Sequence, residues 1–450
     1  MKTIELDEAK RLVAEGQTLS RSERLRLQQQ RLRELVAYAR VHSPYFAKHY
    51  AGVPDDFKLT DLPVTTKTTL MDNYDEWVTD RRLNRAMVEE YVNRDSSHDQ
   101  SKLLGEYTAL HTSGSTGNPL LMVRDDFRNK IHGQLISQRL LGGVDPEVLN
   151  FRKHKRASCI YLSNGASSYG ALLRMRAANP GYEHHLLGVS VLDSISHIVE
   201  ILNDYQPETM AGYPSVMVPL AVEQKKGNLH INLKHLATSS EMLSEKNYYL
   251  LRDAFGCPVA NNYCMTEGGE IAMTHDCPHL HINDDWVIIE PVDKDGRVIT
   301  NEEEWSEGIL VTDLTNYVQP VIRYYVGDVV RIHPSTCDHC QLPVMEIKGR
   351  SYDACTLGGQ TFSMIGPDSE AEVWPGVCRY QFVQTSENTL EVRATIEAGK
   401  DAAEVLGGLC RRLEEVFVAQ GCRDVTVTWS TEPFIPNKKG GKVPLLVKQF

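Results

Sequence analysis

Cysteine is scarce, at 10 in 450 residues. That is too sparse for a disulfide scaffold, so the thiols are expected to stay reduced. A positive balance is missing as well. With 48 basic against 60 acidic side chains the formal charge is -12, which disfavours a surface built to bind nucleic acid. No apolar run approaches the roughly 18 residues of a membrane span. The opening stretch MKTIELDEAKRLV also lacks the basic start and apolar segment of a secretory leader. These absences lead us to expect a cytoplasmic protein with neither nucleic-acid nor membrane partners. What is present is an ordinary globular mixture, 41% hydrophobic and 24% charged. The length exceeds what one hydrophobic core serves, so two or three compact units are expected.

Residues 20–41 carry Leu25, Leu32, Leu35, Val36 and Ala39 at helical spacing among arginines and glutamines, which predicts a surface helix with a solvated basic face. From about residue 107 strand-like runs (ASCIYLS, HHLLGVSV, ETMAGYPS) alternate with helical ones (SISHIVEILNDY, VMVPLAVEQKK, EKNYYLLRDAF), the pattern of α/β layering around parallel strands. After residue 285 come DWVIIEPVDKDGRVIT, EGILVTDLT and PVIRYYVGDVVRI, short β runs divided by Asp-Gly and Glu-Gly turns, which predict a small β unit. Beyond Arg350 strand-like EVRATIEA and DVTVTWS flank helical AAEVLGGLCRRLEEVFVAQG, a small α+β domain. The predicted fold class is thus α/β. A large multi-layer N-terminal domain with parallel sheets and a small β unit spans 1–349, and a small mobile α+β domain spans 350–450.

The segment HTSGSTGNP at 111–119 concentrates small hydroxyl residues and glycines. Glycines let a backbone approach a ligand closely, and successive N–H groups and hydroxyls can wrap a phosphate chain. It is not a Walker A loop, since no lysine follows Gly117. Other short motifs follow in order: AGYPS at 211–215, TSSEML at 238–243, NNYCMTEGG at 261–269, PVIRYYVGD at 320–328, IKGRSYD at 347–353 and KKGGKVP at 438–444.

Together these segments resemble the motifs of the adenylate-forming superfamily, which includes acyl- and aryl-CoA ligases. YARVHSPYFAKHY (38–50) and DLPVTTKTTL (61–70) resemble the N-terminal segment of its phenylacetate-CoA ligase branch. The resemblance implies ATP- and Mg²⁺-dependent activation of a carboxylic acid, of aryl or arylacetic type, as an acyl-adenylate, followed by transfer to a thiol, coenzyme A. It also implies a homodimer. An alternative acceptor is the phosphopantetheine of an acyl carrier protein, and a reading of another class is a nucleotide-binding regulatory protein that has lost catalysis.

Carried onto this chain, the resemblance implies that Thr112, Ser113, Gly114, Ser115, Thr116 and Gly117 cradle the β- and γ-phosphates. Ser240, Glu241, Asn262 and Tyr263 form the adenine pocket, Thr266 touches the α-phosphate and Glu267 holds Mg²⁺. Asp328 takes the ribose hydroxyls with Arg350 nearby, and Lys442 stabilises the adenylation transition state. Tyr169, Ala211, Gly212 and Tyr213 are the candidate acid-binding residues. The LGGQTF segment at 357–362 would face the thiol donor after rotation of the C-terminal domain. Two positions depart from the pattern: Asn118 stands where the phosphate loop often has lysine, and Tyr352 where the hinge is usually acidic or lysine.

Cys337 and Cys340 have the spacing of half a tetrahedral zinc site. Cys277 with one of His275, His279 and His281 could complete it, and the branch resembled often has a structural Cys/His zinc site here. His281, in its Leu-His-Ile context, is the favoured histidine.

Overall fold

The computed structural model describes residues 2–94, 101–112, 119–162, 167–338, 340–350, 354–363, 374–397, 399–435 and 444–450. Ser113, Gly114, Ser115, Thr116, Gly117, Asn118, Tyr352 and Lys442 lie outside them. The chain divides into two compact units. Among the described residues, one is formed by the chain up to Glu346 except a short segment at 327–329, the other by that segment and those from Ile347 onward.

The first unit begins with helices α1 (Leu6–Thr18), α2 (Arg21–His42) and four short ones, α3 to α6, at Pro44–His49, Lys67–Asp72, Tyr74–Trp77 and Arg85–Asn93. Helix α2 starts at a capping box between Ser20 and Glu23, which satisfies orphan amides at its N-terminus. Its face corrects the sequence expectation. Leu25 is 45% exposed, whereas Arg24, Gln28 and Arg31 are buried with Leu32, Leu35, Val36 and Ala39. The polar groups are buried because each finds a partner. Arg24 pairs with Asp284 at 2.8 Å, Gln28 donates to the Asp284 carbonyl at 2.7 Å, and Arg31 donates to the Asp285 carbonyl while stacking 3.3 Å over the Trp286 ring.

A hairpin of β1 (Thr108–His111) and β2 (Leu121–Arg124) follows, then α7 (Asp126–Leu135), capped by Asp125. Next come β3 (Arg156–Ile160), α8 (Ser167–Ala178), β4 (Leu186–Ser190), α9 (Ile195–Tyr205), β5 (Thr209–Gly212), α10 (Pro214–Lys226), β6 (His235–Ser239), α11 (Glu245–Phe255), β7 (Val259–Met265), β8 (Gly269–Met273) and β9 (Leu280–Ile282). Strands β4, β3, β5, β6 and β7 are parallel neighbours in that order, and β8 and β9 continue the sheet antiparallel. Parallel strands joined by helices must carry helices on their faces, and the apolar core around Leu172, Ile198, Leu202, Met217, Leu220 and Leu251 is where α8 to α11 cover the sheet. The predicted α/β layering is therefore present.

The predicted β unit is the antiparallel sheet β10 (Val287–Val292), β11 (Gly308–Asp313) and β12 (Val321–Val326). After it, β13 (Asp328–His333) and β14 (Val344–Arg350) extend the large sheet, giving the order β13-β14-β9-β8-β7-β6-β5-β3-β4. The second unit has a hairpin of β15 (Ala354–Leu357) and β16 (Gln360–Ser363) and a sheet ordered β19-β18-β17-β20, from β17 (Val377–Gln384), β18 (Thr389–Ile396), β19 (Thr426–Ser430) and β20 (Leu446–Lys448). Helix α12 (Ala402–Ala419) packs Leu406, Leu409, Leu413 and Phe417 onto Phe382, Leu390 and Val392. No helix among the described residues is long and apolar enough to cross a membrane.

Candidate active site

In an open parallel sheet, ligands meet the carboxyl ends of the strands. Here those ends carry the candidate acid and adenine residues. Ala211 and Gly212 close β5 and Tyr213 starts the turn into α10. Ser240 and Glu241 follow β6, and Asn262 and Tyr263 lie near the end of β7. Ser240 sits at φ 71°, an uncommon conformation for a non-glycine residue. The Glu241 carboxylate accepts the Ser215 amide at 2.9 Å, and the Tyr213 and Ser168 hydroxyls share a 3.1 Å hydrogen bond, tying the start of α8 to the β5 turn. The Asn262 Oδ1 is buried with no hydrogen-bond partner, an acceptor in want of a donor. Gly212 has a packing role: a Cβ there would stand 2.7 Å from the Cys159 carbonyl oxygen.

The glycine-serine segment lies in the chain between the paired strands β1 and β2. Thr112 and Leu120 close its base, the Thr112 amide donating to the Leu120 carbonyl at 2.9 Å and the Leu120 amide to the Thr112 hydroxyl at 2.9 Å. On the far side of the hairpin, Arg124 Nη2 donates to the Thr266 carbonyl at 3.1 Å. The β1–β2 hairpin and the Thr266–Glu267 turn between β7 and β8 are thereby held together. The third element is β12, whose Tyr324 hydroxyl donates to Glu267 Oε1 at 3.3 Å.

Segment 61–70 joins this group. Thr65 pairs with Tyr324 as a parallel bridge, its amide donating to the Arg323 carbonyl at 3.0 Å and its carbonyl accepting from the Tyr325 amide at 2.9 Å. Arg323, buried against Glu290 through bonds of 2.9 and 3.0 Å, also donates to the Leu62 carbonyl at 2.6 Å. The docking carries Lys67 to the first position of α4, within the field of Glu267. Burial draws the Lys67 ammonium below its ordinary value and the Glu267 charge opposes that.

Behind the turn lies a buried charge network. His132 of α7 bonds to the Glu270 carboxylate through Nδ1 and to the Thr315 hydroxyl through Nε2 at 2.9 Å. Asp313 binds Thr315 and pairs with Arg128 at 2.9 Å. Burial alone would raise Glu270, but His132 and the nearby arginines outweigh it and hold the carboxyl at about 2. Asp313 is likewise held well below its usual range by Arg128 and His132 against the effect of burial. Gly269, at φ 70°, lies against the His132 ring, and a Cβ there would fall on top of it.

Asp328 begins β13 and is buried, and Arg350 ends β14. In the LGGQTF segment Gly358 and Gly359 form the β15–β16 turn with φ of 59° and 79°, the two-residue arrangement that only glycine-like residues adopt without strain.

The cysteine and histidine candidates come together in part. Ligand atoms of Cys277, His281 and Cys337 lie within 4.8 Å of one another, while Cys340 stands outside that group. The His281 Nδ1 faces the Leu342 carbonyl at 2.9 Å and must donate to it, which leaves the Nε2 lone pair facing Cys277 Sγ at 3.3 Å. His275 stacks edge-on, 5.4 Å from the His281 ring, and is not one of the three.

Arg124, Tyr324, Lys67 and the His132–Glu270 pair were not among the sequence candidates. Tyr324 lies inside a motif that was quoted, and Arg124 is a charged end to a short apolar strand, a signal that identifies no function without its partner.

No family model matches the chain. It is 25% identical over 403 residues to a phenylacetate-coenzyme A ligase of Thermus thermophilus, covering 84% of this chain and 82% of that one. A phenylacetate-coenzyme A ligase of Escherichia coli is 27% identical over 372 residues, 76% of this chain and 75% of its own. Among solved structures, 2-hydroxyisobutyryl-CoA ligase in the postadenylation state, in complex with R3-HIB-AMP, superposes with a TM-score of 0.70 at 17% identity, covering 96% of this chain and 91% of that one.

Proposed function

We propose, from the premise that the chain belongs to the adenylate-forming superfamily, that it is an AMP-forming acid–thiol ligase, activating a carboxylic acid of aryl or arylacetic type with ATP and passing the acyl group to coenzyme A. One observation carries this reading onto the residues: the phosphate-loop hairpin meets the Thr266–Glu267 turn through Arg124, and β12 meets it through Tyr324. Segments far apart in sequence converge on the one turn between β7 and β8.

A carboxylate is a poor acyl donor because attack on it must expel an oxide; joining it to AMP supplies a leaving group. In this reading residues 113–117 bind the β- and γ-phosphates from a base fixed by Thr112, and Thr266 orients the α-phosphate against the incoming carboxylate. Asn262 offers its buried Oδ1 to the adenine amine and Tyr263 stacks on the ring, with Ser240 and Glu241 lining the pocket. Asp328 takes the ribose hydroxyls near Arg350, and Lys442 stabilises charge at the α-phosphate. Tyr169, Ala211, Gly212 and Tyr213 border the acid. Glu267 is a hard oxygen donor suited to Mg²⁺, which neutralises phosphate charge when bound.

The residues also fit a structural zinc ion. Cys277, His281 and Cys337 would hold it, with Cys340 as the fourth ligand, leaving no open position for chemistry. The proposal extends to a cytoplasmic homodimer with domains at 1–349 and 350–450, the second rotating about Arg350 between half-reactions. Coenzyme A is placed ahead of a carrier-protein thiol as acceptor.

The test is acid-dependent pyrophosphate release from ATP and Mg²⁺ over a panel of aryl, arylacetic, fatty and amino acids, with and without coenzyme A. Release that depends on the acid and is stimulated by coenzyme A is expected. ATP binding with no release for any acid would overturn the reading.

A further inference from the structure

The Glu267 carboxylate sits on a turn whose own sequence does little to fix it. Two glycines follow it, and Gly269 takes φ 70°. Glu267 is only half-buried, and a glutamate in such a place has several side-chain torsions to settle. The group that meets its carboxylate is held far more firmly. Tyr324 is buried in β12, where its backbone is paired on both sides, with Val311 of β11 and with Thr65 of the 61–70 segment. Thr65 is itself buried and clamps the strand around Tyr324. Its amide donates to the Arg323 carbonyl at 3.0 Å, its hydroxyl to the Ile322 carbonyl at 2.8 Å, and its carbonyl accepts from the Tyr325 amide at 2.9 Å. The turn also lies close against this pair of strands, since a Cβ on Gly268 would stand 3.0 Å from Cγ1 of Val311, the register partner of Tyr324. The phenol oxygen reaches to 3.3 Å from Glu267 Oε1. An ionised carboxylate only accepts, so the hydroxyl donates.

We propose that Tyr324 is a positioning residue for Glu267, its hydroxyl holding the carboxylate in the orientation in which it takes the Mg²⁺ that accompanies ATP. The inference rests on the adenylation reading of Glu267 as a magnesium ligand. Mg²⁺ tolerates little departure from its preferred ligand geometry, and a carboxylate left to choose among rotamers loses that freedom each time the ion binds. A hydrogen bond from a fixed neighbour removes the loss in advance and orients the ligand. Tyr324 acts through Glu267 in this role and not on the reacting atoms. The pairing with Thr65 then gives segment 61–70 a task, because it fixes the strand from which the phenol reaches the turn. Packing of the buried ring is the competing account, and Tyr324→Phe separates the two by removing the hydroxyl and keeping the ring.

The experiment uses the intact chain, Tyr324→Phe, Glu267→Ala and the double variant. Mn²⁺ replaces Mg²⁺ as a paramagnetic probe and is titrated into the complex with α,β-methylene-ATP, which cannot release pyrophosphate; bound ion is read by electron paramagnetic resonance. Tyr324→Phe should weaken Mn²⁺ binding about tenfold, the loss expected for one hydrogen bond to a charged group, and Glu267→Ala should weaken it at least as much. The double variant should match Glu267→Ala alone, since the hydroxyl then has no carboxylate to orient. In turnover with a competent acid, the Mg²⁺ concentration for half-maximal pyrophosphate release should rise by a similar factor in Tyr324→Phe, with a smaller change in kcat at saturating Mg²⁺. Unaltered Mn²⁺ binding in Tyr324→Phe beside weakened binding in Glu267→Ala overturns the proposal and leaves the magnesium role of Glu267 standing. Unaltered binding in both overturns that role and the proposal with it. Additive losses in the double variant overturn the proposal too, as does a rise in KM for ATP at saturating metal, which would give the hydroxyl to the nucleotide. If no acid supports pyrophosphate release the adenylation reading falls, and the Mn²⁺ titration still decides on Tyr324.

Discussion

Gly269→Ala puts the largest local stress on the turn that holds Glu267. The residue has φ 70°, where an L-residue costs about 1–2 kcal/mol. A Cβ would also occupy the position of the His132 ring. The ring must move, and His132 then loses its bonds to Glu270 and Thr315; a hydrogen bond to a charged group contributes about 1.5–3 kcal/mol. The sum is about 3–5 kcal/mol. Gly256→Ala separates the two terms, because Gly256 has φ 62° and nothing within 4 Å of its Cβ position, so it should cost only the backbone share. Unfolding in urea, followed at intrinsic tryptophan fluorescence, should place Gly269→Ala below Gly256→Ala by about 1.5–3 kcal/mol. Pyrophosphate release should fall at least about tenfold in Gly269→Ala and stay near the parent rate in Gly256→Ala, since the turn that moves carries Thr266 and Glu267. Equal stability and equal activity of the two variants would refute the claim that His132 positions this turn.

Three further outcomes are expected. Glu270 is held at about 2 in the fold against an ordinary 4.5, so it contributes about 3 kcal/mol above pH 5 that is lost as pH falls from about 5 towards 2; Glu270→Gln should be less stable at pH 7 and have a flatter acid limb, and an unchanged limb in acid-unfolding curves would count against the pairing with His132. Metal analysis of the purified chain should find about one zinc per chain, with Cys277→Ser and His281→Ala losing it, and a metal-free but folded parent protein would exclude the site. Lys442→Ala should depress adenylate formation by about a hundredfold or more while sparing thiol transfer from preformed acyl-adenylate, and equal loss in both half-reactions would contradict its assigned role.

The alternation of strands and helices was legible because parallel strands buried on both faces read as short apolar runs between periodic helices, as ASCI and VEIL do in β3 and α9. The site was legible only where its chemistry is local. A glycine-serine segment and a Thr-Glu pair stand out within a few residues, whereas of the C-x-x-C pair only Cys337 joins Cys277 and His281. Arg124 could not, because its meaning depends on the Thr266 carbonyl 142 positions away. The same holds for α2, where a charged stripe is normally solvated; Arg24 and Arg31 are buried because Asp284, the Asp285 carbonyl and the Trp286 ring meet them from a distant turn. Buried polar residues are decided by partners, and partners are set by tertiary structure.

The segment from β1 through α7 supplies Thr112, Arg124, Arg128 and His132, each with a partner of its own. Thr112 closes the loop at its base, Arg124 holds the Thr266 carbonyl, and Arg128 and His132 meet the network behind Glu270. A phosphate clamp needs a loop that can admit ATP and release pyrophosphate, yet the charge at the α-phosphate must be met by groups already in place. These demands conflict if one element serves both. Here the strand and helix that follow Leu120 are held in place, Arg124 by the Thr266 carbonyl, Arg128 by Asp313 and His132 by Glu270. On this argument, substitutions within 113–117 should change KM for ATP first, whereas loss of Arg128 or His132 should lower kcat with KM for ATP less affected, because they act on the geometry of the reacting edge rather than on the clamp.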